Sequence, residues 1–116
     1  MAIVEVEKLW GSEQWLHNGD DYCAKLLFLN HGFQCSLHYH PVKRESFICV
    51  AGKVRLEVLQ NDGHIQNIYL QPYQHYTLEP GKAHRFRAIT PTAVIVEAST
   101  KHSDSDVVRL EDSRAC

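Results

Sequence analysis

The stretch His38-Tyr39-His40-Pro41-Val42-Lys43-Arg44-Glu45, followed by Gly52 and, far downstream, by Pro80-Gly81-Lys82-Ala83-His84, decides how this chain is read. In an extended strand side chains alternate between faces, so His38 and His40 point one way and Tyr39 the other. Two imidazoles thereby converge on one point. Pro41 permits a tight reversal that brings Glu45, at the start of the next strand, to the same point, and His84 closes the set from a later strand. Three imidazole nitrogens and one carboxylate suit one divalent transition ion (manganese, zinc, iron or nickel) far better than calcium or magnesium, which prefer shells of oxygen. A histidine pair alone is more often a surface or core pair than a ligand set. What favours metal is the register of Glu45, Gly52 and Pro80-Gly81-x-x-His84 with that pair.

Working outward, the sequence reads as short strands separated by turns about every eight to twelve residues, with no stretch of helical apolar period, which is the pattern of an all-β sandwich or barrel. Strands are expected over 22–29, 34–40, 45–50, 53–60, 64–70, 75–78, 83–89 and 92–98, and an irregular or single-turn segment over 12–18. Asn61-Asp62-Gly63 marks a hairpin, because its turn requires positive φ angles. Little or no helix is expected. The length of 116 residues fits one domain with its own core. Residues 1–98 are read as that domain, and 99–116, with Asp104, Asp106, Glu111 and Asp112, as a polar tail.

A formal net charge of −2 without any basic block excludes nucleic acid and an anionic membrane surface as implied partners. The chain shows neither a leader-like apolar segment nor a run long enough to span a bilayer, so a cytoplasmic protein is expected. The four cysteines, Cys23, Cys35, Cys49 and Cys116, form no C-x-x-C pair and are expected as reduced thiols. Cys49 shares the parity of Glu45 and reads as a small apolar filler of the interior. Cys35 has the parity of Tyr39 and is expected to face away from the metal.

Two sites outside the ligand set bear on chemistry. Lys25 lies mid-strand among Cys23, Leu27 and Leu29; turned inward, it must pair with an anion or lose its proton, and turned outward it is merely solvated. Glu97, within the apolar run 93–98, is a general base if it faces a cavity and inert if it faces water. Arg85 and Arg87 alternate away from His84 and are expected to face outward, Phe86 to share the interior with the metal, and His17, His31, His64 and His102 to be solvated.

With His38, His40, Glu45 and Gly52 in one motif and Pro80-Gly81-Lys82-Ala83-His84 in a second, the chain resembles the cupin superfamily over about its whole length. Gly32 stands one position early against the family pattern, Pro80 and Gly81 are adjacent rather than separated, and Ala88 replaces a terminal asparagine; the four ligands are intact. The resemblance implies a jelly-roll β-barrel, also called a double-stranded β-helix. The elements Trp10-Gly11, Lys25-Leu26-Leu27, Ser36-Leu37-His38-Tyr39-His40 and Glu45-Ser46-Phe47 are similar to the cupin module of type II phosphomannose isomerases and, more closely, to small lyxose isomerase-like cupins. That likeness implies a sugar or sugar-phosphate substrate and aldose–ketose exchange on a metal held by His38, His40, Glu45 and His84; Lys25 and Glu97, from their strand positions, are the catalytic candidates beside it. The same ligand set also fits an iron-dependent dioxygenase, which calls for a mostly apolar pocket, or a noncatalytic sugar-binding cupin, which calls for a pocket without a base. Small cupins commonly pair, and the run 2–6 is expected as an edge strand in a homodimer.

Overall fold

Apolar side chains at every second position let the chain build two antiparallel sheets that face each other across a shared interior. The computed structural model describes residues 3–116. In the first sheet the spatial order is β1 (Val4–Lys8), β2 (Gly11–Asn18), β3 (Cys23–Asn30), β11 (Thr92–Ser99), β6 (Glu45–Ala51) and β9 (His75–Leu78). The second runs from β8 (Ile65–Leu70) through β7 (Val54–Leu59) to β10 (His84–Ala88). Beyond β10 the rung is split: β4 (Phe33–Gln34) and β5 (Leu37–Tyr39) both pair with it, and are themselves edged by β13 (Arg114–Ala115) and β12 (Val108–Glu111). This is the all-β, helix-free jelly roll that the sequence predicts, for the described residues.

Between the sheets lie Leu29, Phe47, Cys49, Val54, Leu56, Val58, Leu78, Phe86 and Ile95, all buried. Each large apolar side chain withdrawn from water contributes about 1.5–3 kcal/mol. The turn from β6 into β7 is held by Gly52, whose φ of 72° suits glycine. A Cβ there would lie 2.4 Å from the Thr92 carbonyl oxygen. The hairpin at Asn61-Asp62-Gly63 joins β7 to β8 as expected, with Gly63 at φ 91°.

Three expectations require correction. The segment 12–18 is not irregular but the greater part of β2, paired on both sides, with β1 and β3. Its alternation is hidden in the sequence because the inward side chains include the polar Glu13, and because the register slips between Trp15 and His17, leaving Leu16 as an extra residue. The run 34–40 is not one strand: it breaks between β4 and β5, so parity is not carried across the break, and Cys35 faces inward, buried beside the cavity. Its N–H donates to the Phe86 carbonyl rather than continuing a ladder. His102 is not solvated but lines the same cavity.

Segment 99–116 carries β12 and β13 and so edges the second sheet. The edge strand at the N-terminus runs Val4–Lys8; Ala2, the first residue of the expected strand, lies outside the described residues. Arg85 and Arg87 project away from His84, Arg85 pairing with Glu57 (Nε–Oε2 2.6 Å) and Arg87 donating to Gln34. No helix among the described residues is long and apolar enough to cross a membrane.

Candidate metal centre

Antiparallel pairing sets His38 on β5 directly opposite His84 on β10, with ring centroids 4.8 Å apart. His40 follows the end of β5, and its ring lies 5.0 Å from His38 and 6.3 Å from His84. Glu45, first residue of β6, reaches in from the opposite sheet. Its Oε1 is 3.4 Å from His40 Nε2 and its Oε2 is 3.3 Å from His84 Nε2.

The outward nitrogen of each ring is fixed by the backbone. His38 Nδ1 lies 3.0 Å from the Ser36 carbonyl, His40 Nδ1 2.6 Å from the Asp106 carbonyl, and His84 Nδ1 3.0 Å from the Lys82 carbonyl. A carbonyl only accepts, so in His40 and His84 Nδ1 carries the proton and donates it, which leaves the lone pair on Nε2 pointing inward; the Ser36 carbonyl favours the same tautomer in His38, whose Nδ1 also lies 2.9 Å from the Ser36 hydroxyl. Burial, aided by His84 and His40, pushes His38 down to about 2. Burial likewise pushes His84 down to about 4 and lowers His40. All three are neutral imidazoles at physiological pH, the form in which histidine ligates a metal.

His84 Nε2 is buried without a hydrogen bond although Glu45 Oε2 stands 3.3 Å away. Two lone-pair-bearing atoms facing each other need a proton or a cation between them. Burial, then the neighbouring Glu97, raises Glu45 to about 7 against the pull of Lys43, whose ion pair offsets the cost of the buried carboxylate only in part. Donors about 2.1 Å from one ion in tetrahedral arrangement lie about 3.4 Å apart, close to the two nitrogen–oxygen separations found here. The four side chains as a set are more widely spaced: no group of three or more His, Cys, Asp or Glu side chains among the described residues is gathered tightly enough to hold an ion. The chemistry of the donors fits a metal, and closing the set requires side-chain movement.

Beside the imidazoles a cavity of about 340 Å³ opens, and the first sheet furnishes its charged wall. Pairing places Trp15, Lys25, Glu97 and Phe47 in one inward-facing row across β2, β3, β11 and β6, with Glu45, Ser99 and Cys23 in the row beside it. Lys25 is only 3% exposed and Glu97 only 4%. Lys25 Nζ lies 4.2 Å over the Trp15 ring and 3.8 Å from Glu13 Oε1, and Trp15 Nε1 donates to that same oxygen at 2.9 Å.

Lys43, in the loop that leads into β6, is the hinge of the charged cluster. Its Nζ lies 3.0 Å from Glu97 Oε2, 3.1 Å from Glu45 Oε1 and 3.1 Å from His102 Nδ1. Burial opposes the ammonium, but Glu97 and Glu45 outweigh it and hold Lys43 above its ordinary range. Burial raises Glu97 as well, yet Lys43 and Lys25 prevail and keep it an anion.

Asp106 is a further residue of this candidate site that the sequence does not single out, because no local pattern marks it. Besides accepting from His40, it accepts the Val42 and Lys43 N–H groups on its two carboxylate oxygens, each at 2.9 Å, and so clamps the loop between the candidate ligands His40 and Glu45. His102 completes the wall, its Nε2 donating to Asp104 at 3.0 Å.

No protein-family model matches the chain. Its sequence is similar to the D-lyxose/D-mannose isomerase of Thermosediminibacter oceani, 34% identical over an alignment of 119 positions that covers 84% of this chain and 65% of that protein. It is also similar to the D-lyxose ketol-isomerase of Cohnella laeviribosi, 31% identical over 113 positions, covering 78% and 62%. The chain thus spans somewhat less than two thirds of the length of these relatives. Among solved structures, the capsular polysaccharide assembling protein CapF of Staphylococcus aureus superposes with a TM-score of 0.85 over 96% of this chain and 32% of its own, at 18% identity. The chain thus shares its fold with CapF, and its sequence is similar to those of the two lyxose isomerases.

Proposed function

We propose that this chain is a cupin acting as a metal-dependent ketol-isomerase that interconverts an aldose and its ketose. The observation that carries the reading is the arrangement of three neutral imidazoles, each locked through Nδ1 to a backbone carbonyl, with two of their Nε2 atoms facing the two oxygens of Glu45. His38, His40, Glu45 and His84 would hold one divalent transition ion. Such an ion, when bound, polarises a carbonyl and binds the neighbouring hydroxyl.

The chain's own groups do the rest. Both hydrogen bonds to Glu97, from Lys43 and Ser99, fall on Oε2, which leaves Oε1 without one among the described residues. That oxygen faces the cavity as an ionised base, takes the proton from C2 and returns it to C1, while the O2 proton passes to O1. Lys25, held over Trp15, donates a hydrogen bond to the oxygen on which negative charge develops. Phe47 and Phe86 supply the apolar floor that limits water.

A dioxygenase calls for a mostly apolar pocket and a simple sugar binder for one without a base; Lys25, Lys43, Glu13 and Glu97 line this one, which favours the isomerase. The reading includes a cytoplasmic protein and a homodimer joined through the free edge of β1, where Ile3 and Val4 are exposed. Its test is metal analysis followed by an assay of lyxose, mannose and related aldoses with manganese, zinc, nickel, cobalt or iron. E97Q and K25M are expected to retain the metal while kcat falls at least about 100-fold. Absence of aldose–ketose exchange with all five ions sinks the proposal.

A further inference from the structure

Lysine and arginine side chains in this protein are nearly all engaged. Lys25, Lys43, Arg44, Arg55, Arg85 and Lys101 have carboxylate partners, Lys82 and Arg87 bond to glutamines, and Lys53 lies over Tyr69. Among the described residues this leaves three without an ion pair, side-chain hydrogen bond or aromatic ring: Lys8, Arg109 and Arg114. Two of those three, Lys8 and Arg109, line the cavity that opens beside the candidate metal ligands.

Their positions follow from the pairing. Arg109 on β12 is the direct cross-strand partner of His38, so the two side chains leave the second sheet on the same face, and Arg109 stands at the rim next to a metal ligand. Lys8 ends β1 and enters from the first sheet, on the side of Glu13 and Trp15. The hydroxyls of Ser36 and Ser113 line the same space. The deep lysine, Lys43, is already compensated by Glu45 and Glu97, and Lys25 faces Glu13, whereas among the described residues the two rim cations have no carboxylate within ion-pair distance, although Asp104 lines the same cavity. A guanidinium and an ammonium kept at the mouth of a substrate-sized cavity are the groups that recognise an oxyanion.

We propose that Lys8 and Arg109 form a subsite for an anionic group on the substrate, so that the preferred sugar carries a phosphate or a carboxylate. This rests on the isomerase reading for its catalytic arm only. Metal-loaded wild type, K8Q and R109Q are assayed with an aldose, its monophosphate and the corresponding uronate, and titrated calorimetrically with inorganic phosphate. The wild type is expected to favour one anionic substrate over the neutral sugar by at least about 10-fold in kcat/KM, and each substitution to cut that preference about 10- to 100-fold. Which of the two is preferred, monophosphate or uronate, identifies the anion. A wild type that prefers the neutral sugar, or variants that keep the wild-type preference, overturns the subsite. If no sugar is turned over, the isomerase reading fails, and the subsite is judged by calorimetry: phosphate bound at least about 10-fold more weakly by K8Q and R109Q upholds it, and equal binding by all three proteins overturns it.

Discussion

The two sheets contribute to the cavity in different ways. The second gives imidazoles: His38 and His84 from a directly opposed pair, with His40 just past a strand end. The first gives charge: Glu45, Glu97 and Lys25, brought together by register across β6, β11 and β3, together with Lys43 from the loop that leads into β6. The imidazoles are held one by one, each by a backbone carbonyl, whereas the charges hold one another. Loss of a single imidazole therefore removes a donor and leaves its neighbours in place. Loss of a single charge strands its partners in a place without water.

That difference can be broken from either side, and the largest effect is expected on metal. His84→Ala should lower affinity for the transition ion by more than about 100-fold, taking the metal content measured by plasma mass spectrometry from about one per chain to near zero. Undiminished content would remove His84 from the ligand set. Lys43→Met should instead act on the fold, because it leaves Glu45 and Glu97 buried without their cation. A cost of about 3–5 kcal/mol is expected in urea denaturation of the metal-free protein. An unchanged midpoint would mean that the carboxylates do not depend on Lys43.

Asp106→Ala lies between these cases. The carbonyl that orients His40 survives the substitution, but the Val42 and Lys43 N–H groups lose their acceptors. About 1–3 kcal/mol of stability and about 10-fold in metal affinity should be lost, with Asp106→Asn recovering part of both. Equal metal affinity in all three proteins would show that the clamp does not position the ligands.

The contrast also explains what can be read in the sequence. Histidines two apart and a glutamate five further on lie on neighbouring strand ends, so local alternation is enough to bring them to one point. Lys25, Glu97 and Trp15 meet only because β3 pairs with both β2 and β11 in one register, which no local pattern records; their inward orientation is therefore open in the sequence, and β2 is hidden behind its bulge and its inward-facing Glu13. Cys35 lies on the opposite face from the one its parity suggests because parity is informative only within an unbroken strand. His102, Asp106 and Arg109 lie in a segment that alternates too little to show its direction, and their place is set by pairing with β5 and by the bonds of Asp106.

The smallest effect tests whether the charged wall depends on its aromatic support. Lys25 is held by the face of Trp15 and, at 3.8 Å, by Glu13, whose Oε1 is itself oriented by the indole N–H. Trp15→Phe keeps a ring beneath the ammonium but deletes the donor, whereas Trp15→Leu deletes both. A lysine resting on an indole gains about 0.5–1 kcal/mol at exposed sites and about 2 kcal/mol when desolvated, and Lys25 is almost wholly buried. Stability should therefore fall least in Phe and by about 2 kcal/mol more in Leu, while bound metal stays constant in both, because no imidazole depends on Trp15. Should metal content fall in step with stability, the two sheets would form one cooperative unit and the contrast between them would be lost.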